Sequence, residues 1–238
     1  MNNNSIAGKY ALVTGASRGI GQQICLGLAE KGVNLVLHAS QKTNLEKTIE
    51  LLSDYKIKVL SVEAELANPF SVDKMIETII QEINGVDILY NNAAIMSKWL
   101  NINEVDLENW QKVFQINLFS VVKFCGAFVP IMAKRGWGRI INLTSGIKDE
   151  PNLAAYGSVK AALDKYTLEL AFAYKNTGVL INLLDPGWLR TDLGGAQAPN
   201  AVYSVLPGAL TPALLKDGSI TGKLFRAQEL NGLPHNLV

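Results

Sequence analysis

Short apolar runs rich in β-branched residues recur along this chain, and a longer stretch of helical periodicity follows each one. The runs fall at 10–14 (YALVT), 33–38 (VNLVLH), 57–62 (IKVLSV), 86–90 (VDILY), 139–143 (RIINL) and 179–184 (VLINLL). Helical patterns occupy 19–31, 43–54, 70–83, 107–134 and 155–176. Repetition of strand, helix and strand predicts a parallel sheet covered on both faces and joined by right-handed crossovers. With no linker, low-complexity tract or internal repeat, residues 1–238 read as a single α/β domain on a doubly wound parallel sheet of about seven strands. From 185 onward the composition shifts to Gly, Pro, Ala and Asn. That stretch predicts a mobile insertion, with a lid near 188–204, then a last helix near 205–216 and a short strand near 221–225.

Composition narrows the function classes. A chain of 238 residues with 48% apolar and 18% charged residues is an ordinary globular protein able to bury a large core. A net charge of +1 gives no excess of lysine and arginine for a nucleic-acid or acidic-membrane surface. Cys25 and Cys125 sit far apart in apolar helical patterns and read as buried thiols in a reducing compartment. His38 and His235 are isolated, which argues against a zinc cluster; no metal site is expected, and His38 reads as a strand-end residue. The stretch Met1–Ser5 is polar, without an apolar signal region. The longest apolar run, Phe124 to Ala133, contains Pro130 and is too short to cross a bilayer. The expectation is a soluble, cytoplasmic protein.

The first strand runs into Thr14-Gly15-Ala16-Ser17-Arg18-Gly19-Ile20-Gly21, where a helix begins. Glycines at 15, 19 and 21 permit a tight turn, close backbone approach to a pyrophosphate, and helix-to-strand packing. The free N–H groups and positive dipole end of the helix then face the anion. Further along, Tyr156-Gly157-Ser158-Val159-Lys160 places a tyrosine and a lysine four positions apart, on one face of a helix with little polar surface to cover.

The glycine spacing together with the Tyr-x-x-x-Lys pair resembles the short-chain dehydrogenase/reductase family in its classical branch, over nearly the whole chain. Asp87-Ile88-Leu89-Tyr90-Asn91-Asn92-Ala93-Ala94 resembles the family's motif after the fourth strand, and Asn117 matches its mid-helix asparagine. Ser145 stands where the family keeps a serine after the fifth strand. Asp185-Pro186-Gly187-Trp188-Leu189-Arg190-Thr191 is similar to its Pro-Gly…Thr element. Ala94 replaces the usual glycine, and Glu65, followed by Leu66, replaces the aspartate that commonly fixes the adenine. The segment Gly194 to Pro199 resembles the carbonyl-reductase-like branch. The resemblance implies a Rossmann fold and an NAD(P)-dependent oxidoreductase.

The chemistry of these residue types agrees with that implication. An alkoxide formed by hydride transfer must be protonated, and a tyrosine with a reference pKa of about 10 is a poor donor–acceptor near neutrality. The Lys160 ammonium is expected to lower the Tyr156 pKa, and the resemblance gives it a second role on the cofactor ribose. Ser145 can hydrogen-bond and polarise the substrate oxygen. An amide at Asn117 inside an apolar helix is costly unless bonded; in the family it holds a water that links the lysine to solvent. Enoyl reductases of the family that the chain resembles typically place more residues between the tyrosine and the lysine, so the resemblance implies carbonyl reduction or alcohol oxidation.

An NAD-selecting enzyme usually carries an acid at the end of the second strand, where this chain has Ser40-Gln41-Lys42. Arg18, with Lys42 or Ser40, is expected to hold a 2′-phosphate, so NADP is preferred over NAD. The remaining expected cofactor contacts are Gly15, Ser17, Gly19, Ile20, Gly21, Glu65, Leu66, Asn92, Ala93, Ala94, Tyr156, Lys160, Pro186, Gly187 and Thr191. Met96, Ser145, Ile147, Tyr156 and Trp188 are expected to meet a small carbonyl or alcohol substrate. An NAD-dependent alcohol or sugar dehydrogenase, or a catalytically silent dinucleotide-binding sensor, remains as the alternative. Helices 107–134 and 155–176 are apolar nearly all round; the resemblance makes them a subunit interface, giving a homodimer or homotetramer.

Overall fold

The computed structural model describes residues 6–231, and these described residues form seven strands. They are β1 (Tyr10–Val13), β2 (Asn34–Ala39), β3 (Val59–Glu63), β4 (Ile88–Asn91), β5 (Gly138–Leu143), β6 (Val179–Asp185) and β7 (Leu224–Arg226). All pair in parallel in one sheet of order β3-β2-β1-β4-β5-β6-β7. The stretch Met1–Ser5 and His235 lie outside the described residues.

Strand side chains alternate between faces, and here both faces are apolar. Leu12, Val36, Leu89, Ile140 and Ile181 enter one core, with α3 (Pro69–Ile83), α5 (Ser120–Arg135) and α6 (Ala154–Ala173) packed over it. Their neighbours Ala11, Val13, Leu35, Leu37, Ile88 and Ile141 enter the other, beneath α1 (Gly19–Glu30). Each fully buried aliphatic side chain contributes roughly 1.5–3 kcal/mol, so neither face tolerates a one-residue slip. Because β1 pairs with β2 on one side and β4 on the other, the chain reverses its winding there. A crevice opens beyond the carboxyl ends of these strands.

Local signals set the helix ends. Asn68 caps α3 by accepting from the Phe70 and Ser71 N–H groups, Pro69 fills the first helical position, and Asn84 stops the helix at φ 60°. The long pattern at 107–134 resolves into α4 (Leu107–Phe114), a π-helical turn (Gln115–Phe119) and α5, which ends at Gly136 with φ 72°. The continuous helical stretch Leu107–Arg135 has the length and apolar composition of a membrane span, a point the shorter run Phe124 to Ala133 concealed. It lies along the sheet, with Phe124, Cys125, Phe128, Val129 and Met132 buried in the core.

Three boundaries differ from the sequence reading. The helix expected at 43–54 is a 3-10 turn (Lys42–Leu45) leading into the short α2 (Glu46–Leu51). The last helix expected near 205–216 is broken into two 3-10 turns, Val202–Val205 and Gly208–Leu210, and a single helical turn, α7 (Thr211–Leu214). Pro207 and Pro212 deny it the backbone N–H groups a continuous helix needs. The final strand is Leu224–Arg226 instead of 221–225, followed by α8 (Ala227–Leu230). Thr221 Oγ1 instead accepts from the Ile181 N–H at 2.9 Å, and Gly222 takes φ 73°.

Candidate active site

The glycine turn after β1 is built for close approach. Gly15 has φ 66°, and a Cβ on Gly21 would stand 2.2 Å from the Gly15 carbonyl oxygen, so neither position admits a side chain. Thr14 Oγ1 accepts from the Asn92 and Ala93 N–H groups, both at 3.0 Å, and Asn92 Nδ2 donates to the Thr14 carbonyl at 2.8 Å. These bonds lock the loop after β4 against the turn. Ala94 keeps a backbone conformation open to any L-residue, so the missing glycine costs no strain. The α1 first turn, Gly19-Ile20-Gly21-Gln22, is uncharged, and its N–H groups and dipole suit a pyrophosphate.

His38 is more than a strand-end residue. It is buried; its Nδ1 accepts from the Gly15 N–H at 3.2 Å while Nε2 reaches the Ala64 carbonyl at 3.1 Å. Those partners select the neutral tautomer with its proton on Nε2, and burial holds its pKa below the ordinary histidine value. Thr48, from α2, ties the other side of the turn through the Ala16 carbonyl at 2.9 Å and the Ser17 carbonyl at 3.2 Å.

The residues expected to meet a 2′-phosphate are exposed, and each has company. Arg18 Nε pairs at 2.7 Å with Asp192, across the cleft in the segment after β6. The Lys42 N–H donates to Glu63 Oε2 at 3.1 Å, so an acid from β3 stands beside the end of β2 although β2 itself ends without one. Ser40 is exposed next to them. Glu65 Oε1 accepts from the Ala67 N–H at 3.3 Å, and Leu66 is buried beneath it.

Tyr156 and Lys160 both lie buried on one face of α6. Lys160 Nζ donates to the Leu143 carbonyl at 2.7 Å. Burial of its ammonium brings the lysine pKa down to about 8, while Asp164 works in the opposite direction. The phenol does not follow the sequence expectation. Burial pushes Tyr156 up to about 12, with Asp185 adding to the rise, and the Ser145 hydroxyl is the group that favours its charged form. Desolvation dominates: Lys160 Nζ, 5.6 Å from the centre of the phenol ring, spends its hydrogen bond on the Leu143 carbonyl and not on the phenol oxygen. Asn117 sits in the π-helical turn, where its Oδ1 accepts from the Ile95 N–H at 2.9 Å and its Nδ2 donates to the Ile95 carbonyl at 2.8 Å. Its amide is therefore satisfied by the loop after β4. Such turns recur at functional sites because they widen the backbone.

Ser145 and Tyr156 open onto a cavity of about 810 Å³ whose walls include Met96, Trp99, Ile147, Leu153, Trp188 and Leu193. Ile20, Pro186, Gly187 and Thr191 also line it, joining the glycine turn to the substrate side. The segment 188–204 is braced within itself more than its composition suggests. Trp188 Nε1 donates to the Gly194 carbonyl at 2.7 Å, Arg190 Nη1 to the Pro199 carbonyl at 2.8 Å, and Asn200 Nδ2 to the Trp188 carbonyl at 3.2 Å. Sequence reasoning quoted Thr14 and Asp185 within their motifs without giving them a role, and it missed Thr48 and Asp164, polar residues inside helices whose partners lie far off in sequence.

Comparison with known proteins agrees with this geometry. The description of short chain dehydrogenases matches residues 9–201. A 3-oxoacyl-[acyl-carrier-protein] reductase of Synechocystis sp. is 34% identical over 193 residues, covering 79% of this chain and 77% of its own. The 3-oxoacyl-[acyl-carrier-protein] reductase FabG of Escherichia coli K12 is 33% identical over 226 residues, covering 94% and 86%. The crystal structure of a metagenomic short-chain oxidoreductase in complex with NADP superposes with a TM-score of 0.81 at 26% identity, covering 93% of this chain and 98% of that one. Fold, glycine turn and sequence together place the chain in the short-chain dehydrogenase family, as an NAD(P)-dependent oxidoreductase.

Proposed function

We propose that this enzyme reduces a small ketone or aldehyde with NADPH, or runs the reverse oxidation of a secondary alcohol, in a carbonyl-reductase-like branch of its family. The observation that carries the reading is the convergence of Ser145 and Tyr156 on one wall of the cavity, with Lys160 buried behind them. Reduced nicotinamide, when bound, supplies the hydride. The Ser145 hydroxyl donates to the carbonyl oxygen and the Tyr156 hydroxyl gives its proton to the forming alkoxide. Lys160 provides the positive charge that favours the phenolate left behind.

The cofactor side rests on Arg18, Ser40 and Lys42 around a β2 end that carries no acid of its own. The pairing of Arg18 with Asp192, and Glu63 beside Lys42, favour a second reading: an NAD-linked alcohol or sugar dehydrogenase. Segment 188–204 acts as a lid in either case. Hydrogen exchange there should slow when cofactor binds, and equal protection with and without it would reject the lid. Phe119, Val122, Leu168 and Phe172 leave an apolar face exposed on α5, α6 and the turn before α5. We assign that face to a homodimer or homotetramer, which light scattering tests directly. The buried free thiols Cys25 and Cys125 suit a reducing compartment, and we place the protein in the cytoplasm.

The test is a panel of ketones, aldehydes, secondary alcohols and a 3-oxoacyl thioester, run with both nucleotides in both directions. NADPH consumption matched by alcohol formation is expected. A protein that binds NADPH yet turns over no member of the panel is a sensor and not a reductase.

A further inference from the structure

Three consecutive residues where β5 ends meet three groups spaced four apart on α6, two of them through direct hydrogen bonds. The Leu143 carbonyl accepts from Lys160, the Thr144 hydroxyl donates to Asp164, and the Ser145 hydroxyl acts on Tyr156. The i, i+4, i+8 spacing puts Tyr156, Lys160 and Asp164 in one row, so the row that carries the chemistry ends on a carboxylate. Asp164 is half-buried, Thr144 is buried, and the Thr144 N–H is itself pinned to the Leu184 carbonyl at 2.9 Å. The carboxylate is therefore held in place by β5 and not free to swing into solvent.

We propose that Asp164 is a positioning residue for this site: anchored by Thr144, it keeps Lys160 charged despite its burial. This rests on the reading of Tyr156 and Lys160 given above. The acting groups are few. Tyr156 shares the helix, Asp185 stands at the end of β6, and β5 contributes a carbonyl and two hydroxyls. The charged side chains of α4, Glu108 and Lys112, are exposed. Burial works against the lysine's charge, and Asp164 is the group that opposes it. Asp185 instead acts on Tyr156 and on Asp164.

The experiment separates charge from shape. Asp164→Asn keeps an acceptor for the Thr144 hydroxyl and removes the charge, and Asp164→Glu restores the charge. Lysine side chains labelled with ¹³C allow Lys160 to be titrated by NMR without any turnover. The Lys160 midpoint should move down by about half to one pH unit in Asp164→Asn, and return toward the wild-type value in Asp164→Glu. The alkaline limb of carbonyl reduction should move with it, costing several-fold in kcat/KM near pH 8.5 and little near pH 6.5. A coincident Lys160 midpoint in wild type and Asp164→Asn overturns the proposal whatever the activity. A shifted midpoint in a protein that reduces no carbonyl supports the charge relationship and overturns the reductase reading instead.

Discussion

Lys160 Nζ lies 5.6 Å from the centre of the Tyr156 ring and spends its hydrogen bond on the Leu143 carbonyl. The lysine is thus stored inside the protein, close to the phenol without touching its oxygen. Storage is costly, because a buried ammonium loses its hydration. A folded-state pKa of about 8 against an ordinary value of 10.5 corresponds to on the order of 3 kcal/mol.

Lys160→Met should accordingly abolish turnover and raise stability. The folded pKa is depressed, so the unfolded chain binds more protons between about pH 8 and 10.5, and wild-type stability gains from this group as pH rises through that window. The advantage of the methionine variant is expected to be largest below pH 8 and to shrink toward pH 10. Thermal unfolding of both proteins across that range checks it. Taking the difference cancels the opposing titration of buried groups away from Lys160, such as Cys25 and Tyr90.

His38 makes the acid side of the profile. Its folded pKa is depressed by burial, so below about pH 6.5 the unfolded chain takes up a proton that the folded one refuses, and stability falls as pH falls. His38→Phe should be less stable at pH 7, by about 1–3 kcal/mol, since it strands the Gly15 N–H. It should also lose the part of the pH dependence that lies below about 6.5. Denaturant titrations at three pH values, comparing variant and wild type, read both effects. Parallel curves would remove His38 from this role.

The alternation of strand and helix, the glycine turn and the Tyr-x-x-x-Lys row were legible because each repeats a local physical requirement: apolar period, positive φ, one helix face. The break at Pro207 was visible in the sequence but overridden by an apolar pattern that suggested one helix. The roles of His38, Asp164 and Thr144 were not legible, since these hydrogen-bond partners lie 20 or more residues apart in sequence and meet only through the fold. The Tyr156 pKa failed for a related reason. Its neighbour in sequence was plain, but the depth of burial and the destination of the Lys160 hydrogen bond are properties of the packed structure.

Arg18→Ala should weaken NADPH by about tenfold and leave NADH nearly unchanged, since only NADPH carries the 2′-phosphate and a charged hydrogen bond contributes about 1.5–3 kcal/mol. The arginine is exposed and already paired with Asp192, which argues for the lower end. Asp192→Asn, which releases it, should strengthen NADPH binding by no more than a few-fold, because exposed pairs contribute about 0–1 kcal/mol. Fluorescence titrations with both nucleotides at two salt concentrations make the comparison. An equal loss for NADPH and NADH in Arg18→Ala would favour the NAD-linked reading.

The central claim is that the Tyr156 hydroxyl supplies the proton, and Tyr156→Phe removes that group while keeping the buried ring. The measurement is a pair: the NADPH dissociation constant, and single-turnover reduction of the best carbonyl found in the panel. NADPH should bind within about twofold of wild type, and the rate of reduction should fall at least 100-fold, since general acid–base groups contribute roughly 10²–10⁴. Reduction within a few-fold of the wild-type rate, at undiminished NADPH affinity, would contradict the account.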